Sequence, residues 1–322
     1  MNFKSLGLEL VKIILITLPY VMATNTESSK DQALAILDKT DVIASTPHVL
    51  YSLADPRPGN TEESPETLSF IGQLQKQLQA EAEDGWKLAC IPRPWNPMEG
   101  FNAADETSPR HTLPAIQIPS PVTAGSRPSL PEVYFSIYAG QEIETVPPPS
   151  NIASSLVRDS LVDTINIVDF NRNVTAKFLI DVDCYFAEGL FVKRATQFDK
   201  LRSLEDGKST WKPEDVAVDA VFSQLFQLPT PDHKPVYYHA VLTEACKIAP
   251  AAIAPSLGRA IRWFYNNIDL LDLELVYLFM DWFAHHLSNF GFTWKWTEWC
   301  VSRCYCDLLT HTLVGLMMLH YQ

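Results

Sequence analysis

One segment of this sequence combines acidic and histidine side chains at a spacing that could hold a metal ion. Asp281 and His285 are one helical turn apart, and His286 follows directly. Imidazole and carboxylate groups are common zinc ligands, but a specific site needs a further carboxylate or a distant third ligand. The segment supplies neither, so we interpret the two histidines as structural residues packed against aromatic rings and predict no metal here.

A second group of metal-ligand residue types lies near the end of the sequence. Cys300, Cys304, Cys306 and His311 have the right chemistry for zinc but lack the paired C-x-x-C spacing of a folded zinc module. We interpret these cysteines as free thiols. The other three cysteines are isolated along the chain, which indicates a reduced, intracellular protein.

Catalytic motifs are weak throughout the sequence. The pair Asp181 and Asp183 resembles the paired acids of sugar-nucleotide transferases, but alone it is better interpreted as a solvated helix end. Phosphate-binding glycine loops and nucleophile elbows are absent, and the chain holds only 12 glycines. We therefore predict no enzyme, no catalytic residue and no cofactor.

Three tryptophans, Trp294, Trp296 and Trp299, form the most unusual cluster of side chains. Indoles can stack on the bases of a single strand where cations accompany them. Here only Lys295 and Arg303 are close in sequence, and the formal charge of the chain is −13, which opposes direct binding to a phosphate backbone. The indoles are therefore predicted to pack against the core or to bind a protein partner.

The element that must position these indoles is a helix ending at Gly291. Apolar residues recur three or four apart along it, as on a buried helix face: Val276, Phe279, Phe283, Leu287 and Phe290. Trp282 and Phe283 are expected to be largely buried, and Gly291 is a natural stop.

Earlier segments also predict helices joined by short turns. Asn151 and Pro213 begin two of them, and a further helix starts at Ser64 with a solvated face of Gln and Glu. A returning helix is expected to bury Val174, Phe178 and Val182. The fold class is therefore all-α, with stacked antiparallel α-hairpins in a HEAT-like α-solenoid.

The first 23 residues allow two interpretations. An apolar run after Lys12 ends in small residues, as in a secretory signal, but it is too short to span a bilayer. A core helix is favoured, with Leu6, Leu10, Ile13 or Ile14, and Leu18 on its buried face. The alternative is a secreted or membrane-associated helical protein, in which Asn173 would become a glycosylation acceptor.

Three long motifs carry a resemblance to a known family. They are INIVDFNRNVTAKFLIDVDCYF (165–186), the segment from FQLPTPDHKP to RWFYNNID (226–269) and DWFAHHLSNFGFTWKWTEW (281–299). From about Pro131 to Trp299 the chain resembles the large subunit of the nuclear cap-binding complex in a fungal form. The resemblance is weaker before residue 91 and ends after Trp299.

The resemblance implies a fold like the middle domain of eukaryotic initiation factor 4G. It also implies a non-catalytic scaffold that supports the small cap-binding subunit and contacts capped RNA only through that subunit. Expected partners include mRNA processing and export factors, with roles in export, processing and nonsense-mediated decay. The implied location is the nucleus, with shuttling to the cytoplasm, and no membrane partner is expected.

The predicted domain organisation has four segments. Residues 1–90 are the remnant of a first helical domain, and 91–130 are a proline-rich linker within a stretch, 91–150, that holds twelve of the 23 prolines. Residues 131–299 are the second helical domain. Residues 300–322 are an atypical tail of the kind that a shifted frame or a translated intron produces, and the family's remaining domains are expected to be missing on either side.

Overall fold

The computed structural model describes residues 3–24, 26–57, 69–93, 114–115, 130–205 and 207–297. The chain in these ranges is helical, and its β contact is an isolated antiparallel bridge between Ser69 and Val133. The α-helices, in chain order, are α1 (Phe3–Thr24), α2 (Thr26–Ala44), α3 (Tyr51–Ala54), α4 (Phe70–Glu83), α5 (Ile152–Ile167), α6 (Arg172–Ile180), α7 (Phe198–Arg202), α8 (Pro213–Leu225), α9 (Pro235–Ile248), α10 (Pro250–Asn267) and α11 (Leu273–Asn289).

The larger part of the structure is a two-layer stack of helices. In one layer α5 packs on α8 and α8 on α10, and in the other α6 packs on α9 and α9 on α11. Near the start of α8, Asp215 accepts a hydrogen bond from Ser256 of α10, and further along α8, Phe222 contacts Phe264, which lies further along α10. The two helices therefore run in the same direction. The prediction of an all-α fold of stacked hairpins is confirmed.

Local sequence signals set the ends of several helices. The Asn151 side chain accepts a hydrogen bond from the Ala153 amide (2.9 Å) and caps α5. Pro213 occupies the first turn of α8. Backbone N–H groups in the first turn have no acceptor within the helix, so a proline there costs no helical hydrogen bond. Both helix starts agree with the sequence prediction.

An aromatic core joins α8, α10 and α11. Phe222 contacts Trp282 edge to face, with ring centroids 4.7 Å apart, and Phe264 stacks on Phe279 at 4.7 Å. Phe283 is fully buried and stacks on Phe279. The predicted burial of Trp282 and Phe283 is therefore confirmed, and aromatic pairs of this geometry add to the free energy of burial.

Helix α4 differs from its prediction. It begins at Phe70 and is capped by Ser69, and the expected start at Ser64 lies outside the described residues. Three of its four glutamines are buried instead of solvated: Gln77 is 2% exposed and donates to the Pro149 carbonyl (2.6 Å). Gln73 and Gln75 are equally buried, whereas Gln79 is exposed. The buried glutamines donate to carbonyls distant in sequence, so a local pattern could not reveal them.

Helix α6 also buries a different face from the predicted one. Val182 is buried, as expected, but Val174 and Phe178 are exposed to solvent. The core-facing residues of this helix are Thr175, Ala176, Leu179 and Ile180. Because α6 is apolar on both faces, periodicity alone did not decide which one meets α9.

Helix α1 belongs to a second core with α2 and α4. Leu18 is buried as predicted, but Ile13 and Ile14 are exposed and the Leu6 side chain is not among those described. The buried face also carries Val11, Leu15 and Met22. By length and composition alone, Gly7–Thr24 could cross a membrane, a test that core helices and signal sequences also pass.

Buried ion pairs anchor the segment that precedes α5. Asp219 of α8 accepts hydrogen bonds from Arg158 (2.9 Å) and from the Ile137 amide (2.8 Å). Burial raises the pKa of Asp219, while the charge of Arg158 opposes that rise. Arg158 also lies over the Tyr134 ring, 4.0 Å from its centroid. These contacts hold the extended residues 130–150 against the helical stack.

Candidate partner-binding surface

The chain reverses direction at the end of α11, and this turn places the indoles. Gly291 and Phe292 have positive φ angles of 64° and 56°, and the Phe292 amide donates to the Leu287 carbonyl (2.8 Å). Glycine adopts this conformation at no steric cost. The turn brings Trp294 and Trp296 back onto the core. It also ends α11 close to Gly291, where the sequence predicted the helix to stop.

Both indoles pack against the ring of Phe283. Its ring centroid lies 5.9 Å from Trp294 at 81°, an edge-to-face contact, and 6.4 Å from Trp296. Both tryptophans are half-buried, with one side on the core and the other toward solvent. The third predicted residue, Trp299, lies outside the described residues. Half-buried indoles on a rigid base have the character of a protein-binding surface.

A cation from a neighbouring helix joins this surface. The Arg262 guanidinium of α10 lies 5.1 Å from the Trp294 ring centroid and is tied to the Gly258 carbonyl (3.0 Å). The expectation that only Lys295 and Arg303 supply positive charge near the indoles is therefore wrong. Arg262 is distant in sequence, so only the packing of α10 beside α11 identifies it. A cation over an indole face is attractive and orients the ring.

The histidines of α11 lie beside this surface and are not arranged as a metal site. His285 faces His239 of α9, with ring centroids 5.2 Å apart, and His286 stacks on Trp282 at 5.6 Å. Asp281 is exposed. Within the described ranges, no three His, Cys, Asp or Glu side chains are grouped so that they could hold a metal ion.

Burial disfavours the charged form of His239 and of both α11 histidines. It lowers the pKa of His239 and of His286 to about 4, and it also lowers the pKa of His285. The negative charge of Asp281 partly opposes this lowering for His239 and His285. One ring nitrogen of each histidine is buried without a hydrogen-bond partner in the described part of the chain, so charging the ring costs free energy.

The acidic pair after α6 forms salt bridges with an arginine. Arg194 donates from Nη1 to Asp181 (2.8 Å) and from Nε to Asp183 (3.1 Å), and all three side chains are half-buried. The interpretation as a helix end is correct for Asp181, which is the C-cap of α6, but both acids are salt-bridged and half-buried instead of fully solvated. The two carboxylates fix the loop between α6 and α7, which is a structural role.

The described cysteines fall into two environments. Cys90 and Cys246 are buried, and burial raises the pKa of the Cys90 thiol to about 12. Such a thiol is a poor nucleophile at neutral pH. Cys184 is exposed. The predicted free thiols at Cys300, Cys304 and Cys306, together with His311, lie outside the described residues.

The helical stack matches a known family. The family model described as MIF4G like matches residues 147–308, which contain α5 to α11. The chain is 37% identical over 295 residues to nuclear cap-binding protein subunit 1 of Schizosaccharomyces pombe, covering 91% of this chain and 37% of that protein. It is 28% identical over 237 residues to the human protein of the same name, covering 73% of this chain and 27% of that protein.

A further relative aligns with about half of the chain. The nuclear cap-binding protein complex subunit 1 of Saccharomyces cerevisiae is 36% identical over 170 residues, covering 52% of this chain and 20% of that protein. The chain therefore spans between 20% and 37% of the length of these curated relatives. None of these three relatives is named as a secreted or membrane protein.

Proposed function

Since the chain belongs to the MIF4G-like family, we propose that it is a non-catalytic scaffold subunit of a nuclear mRNA cap-binding complex. The match over residues 147–308 carries this proposal, together with the similarity to proteins named nuclear cap-binding protein subunit 1. In this role the helical stack supports the small cap-binding subunit. The complex acts in capped-RNA processing, export and decay, in the nucleus with shuttling to the cytoplasm.

The indole surface is the part of the stack that we assign to partner binding. Trp294 and Trp296 combine a buried base on Phe283 with a side toward solvent, and Arg262 adds a positive charge. Tryptophan and arginine are enriched among the residues that dominate binding energies at protein interfaces. We extend the assignment to Trp299 because it continues the same cluster in sequence.

The charge of the chain supports an indirect contact with RNA. A formal charge of −13 opposes accumulation of phosphate groups at the surface. A partner that binds the cap itself would remove the need for a basic surface on this chain. We therefore propose that capped RNA reaches the complex through the small subunit, and that processing and export factors join it by protein contacts.

A reconstitution experiment tests this function. The small cap-binding subunit from the same genome is titrated with a fluorescent cap dinucleotide, alone and with saturating amounts of this chain. We expect the chain to tighten cap binding at least tenfold, because a scaffold that orders the cap pocket removes the entropic cost of ordering it on binding. Equal cap affinities with and without the chain would refute the scaffold role.

A further inference from the structure

The exposed face of α6 carries an aromatic stripe that the proposed function does not use. Phe170, Val174 and Phe178 follow one another at intervals of four residues, and Phe170 is 82% exposed. Tyr185 extends the stripe, with its ring centroid 6.4 Å from that of Phe178. Val174 and Phe178 are one turn apart on α6, about 6 Å along its axis, and Phe170 lies in the turn that precedes this helix. Contiguous exposed apolar surface of this kind commonly marks a binding site.

The stripe rests on a well-anchored helix. Asn171 caps α6 and accepts from the Asn173 amide (3.2 Å). Thr175, on the opposite face, donates to the Val168 carbonyl (2.8 Å), and its hydroxyl lies 3.4 Å from the Tyr237 hydroxyl of α9. These contacts fix α6 against its neighbours, so the stripe is preorganised and a partner need not pay the entropic cost of ordering it.

The charges on this helix are positive within an acidic protein. Residues 172–180 contain Arg172 and Lys177 and no acidic residue. Arg172 lies 3.6 Å from Glu244, a carboxylate that is also 3.4 Å from Lys247. Beyond the C-terminus of α6, two acids, Asp181 and Asp183, share the single charge of Arg194.

One acid remains on the other side of the stripe. Asp169 precedes Phe170 in the sequence and lies 3.8 Å from Nδ1 of His233. The exposed face of α6 therefore presents apolar rings beside cationic groups, with its acids at either end.

We propose that this stripe, comprising Phe170, Val174, Phe178 and Tyr185, is a docking surface for an acidic amphipathic helix of a partner protein. A helix offers apolar anchors every three or four residues, which matches the four-residue spacing of the stripe. Acidic residues flanking those anchors complement Arg172 and Lys177. Single-stranded nucleic acid also uses rings and cations, but it needs a basic groove that follows the backbone, and α6 carries only Arg172 and Lys177.

A peptide selection identifies the occupant by its chemistry. A displayed library of helical peptides of about 18 residues, with four turns of randomised surface positions, is selected against the folded chain. The proposal predicts enrichment of Leu, Phe or Trp at intervals of three or four residues with Asp or Glu beside them. It further predicts that the selected peptide binds at least tenfold more weakly to the double variant Phe170→Ser, Phe178→Ser.

Matched variants separate loss of the surface from loss of the fold. The conservative pair Phe170→Leu, Phe178→Leu should retain most of the binding, and Val49→Ser, at an exposed apolar residue of another region, should leave it unchanged. Reversal of charge by Lys177→Glu should weaken an acidic peptide and strengthen its lysine-substituted counterpart. Selection of basic peptides, equal binding to the serine variant, or displacement of the peptide by a 12-nucleotide oligouridine would overturn the proposal.

Discussion

Phe283 is the residue on which the core and the indole surface both depend. Its side chain is 0% exposed, stacks on Phe279 at 5.8 Å and supports Trp294 and Trp296. Truncation of a buried phenylalanine to alanine costs about 3–5 kcal/mol because the cavity adds to the lost transfer free energy. Each lost aromatic pair accounts for about 0.5–1.5 kcal/mol. We therefore expect Phe283→Ala to lower the free energy of unfolding by about 4–5 kcal/mol.

Urea denaturation followed by tryptophan fluorescence measures this change. The native emission of Phe283→Ala should also shift to longer wavelength, because Trp294 and Trp296 lose their buried base. Tyr277→Ala is the matched control, since it lies on the same helix with 54% of its surface exposed. That control should change stability by less than about 1 kcal/mol. A loss below about 1 kcal/mol for Phe283→Ala would show that α11 does not pack as described here.

Two further predictions concern buried charge and pH. Asp219→Ala should lower the free energy of unfolding by about 3–5 kcal/mol, because it leaves Arg158 buried without its partner. Glu142→Ala breaks an exposed ion pair and should lower it by less than about 1 kcal/mol. Comparable losses for the two variants in urea denaturation would contradict the assigned burial of the Asp219 ion pair. The pKa of His239 and of His286 is lowered from 6.5 to about 4, so between those pH values the unfolded chain binds more protons and stability falls as the pH falls. At about 1.4 kcal/mol per pKa unit, the loss of stability is at most about 3.5 kcal/mol for each ring. The fall in thermal midpoint from pH 7 to pH 4.5 should therefore shrink in His286→Leu, and an unchanged pH profile in that variant would be the contrary result.

The stack of helices follows from local signals in the sequence. In α10 and α11 the apolar residues lie mostly on one face and the polar residues on the other, so helical periodicity identifies the side that packs. Helix α8 differs, because it is buried on nearly all sides, including Glu214, Asp215 and Asp219. Caps and prolines such as Asn151 and Pro213 mark where the helices begin. These signals act within one or two turns, which is why the sequence alone could locate them.

Features that depend on distant partners could not be predicted in this way. Gln77 is buried because the Pro149 carbonyl, 72 residues away, accepts its hydrogen bond. Val174 and Phe178 are exposed because α6 packs on α9 through its other face, which carries Ala176 and Leu179. Arg262 reaches Trp294 only through the packing of two helices. In each case the deciding contact is tertiary, and the residue type alone favours a different environment.

Direct binding to the small cap-binding subunit tests the central claim of a scaffold. In isothermal titration calorimetry at physiological salt, we predict a one-to-one complex with a dissociation constant below about 1 µM, equivalent to about −8 kcal/mol. The double variant Trp294→Ala, Trp296→Ala should keep its helical circular dichroism and bind at least tenfold more weakly. Absence of any binding heat from the folded chain at about 50 µM, well above the predicted dissociation constant, would contradict the account.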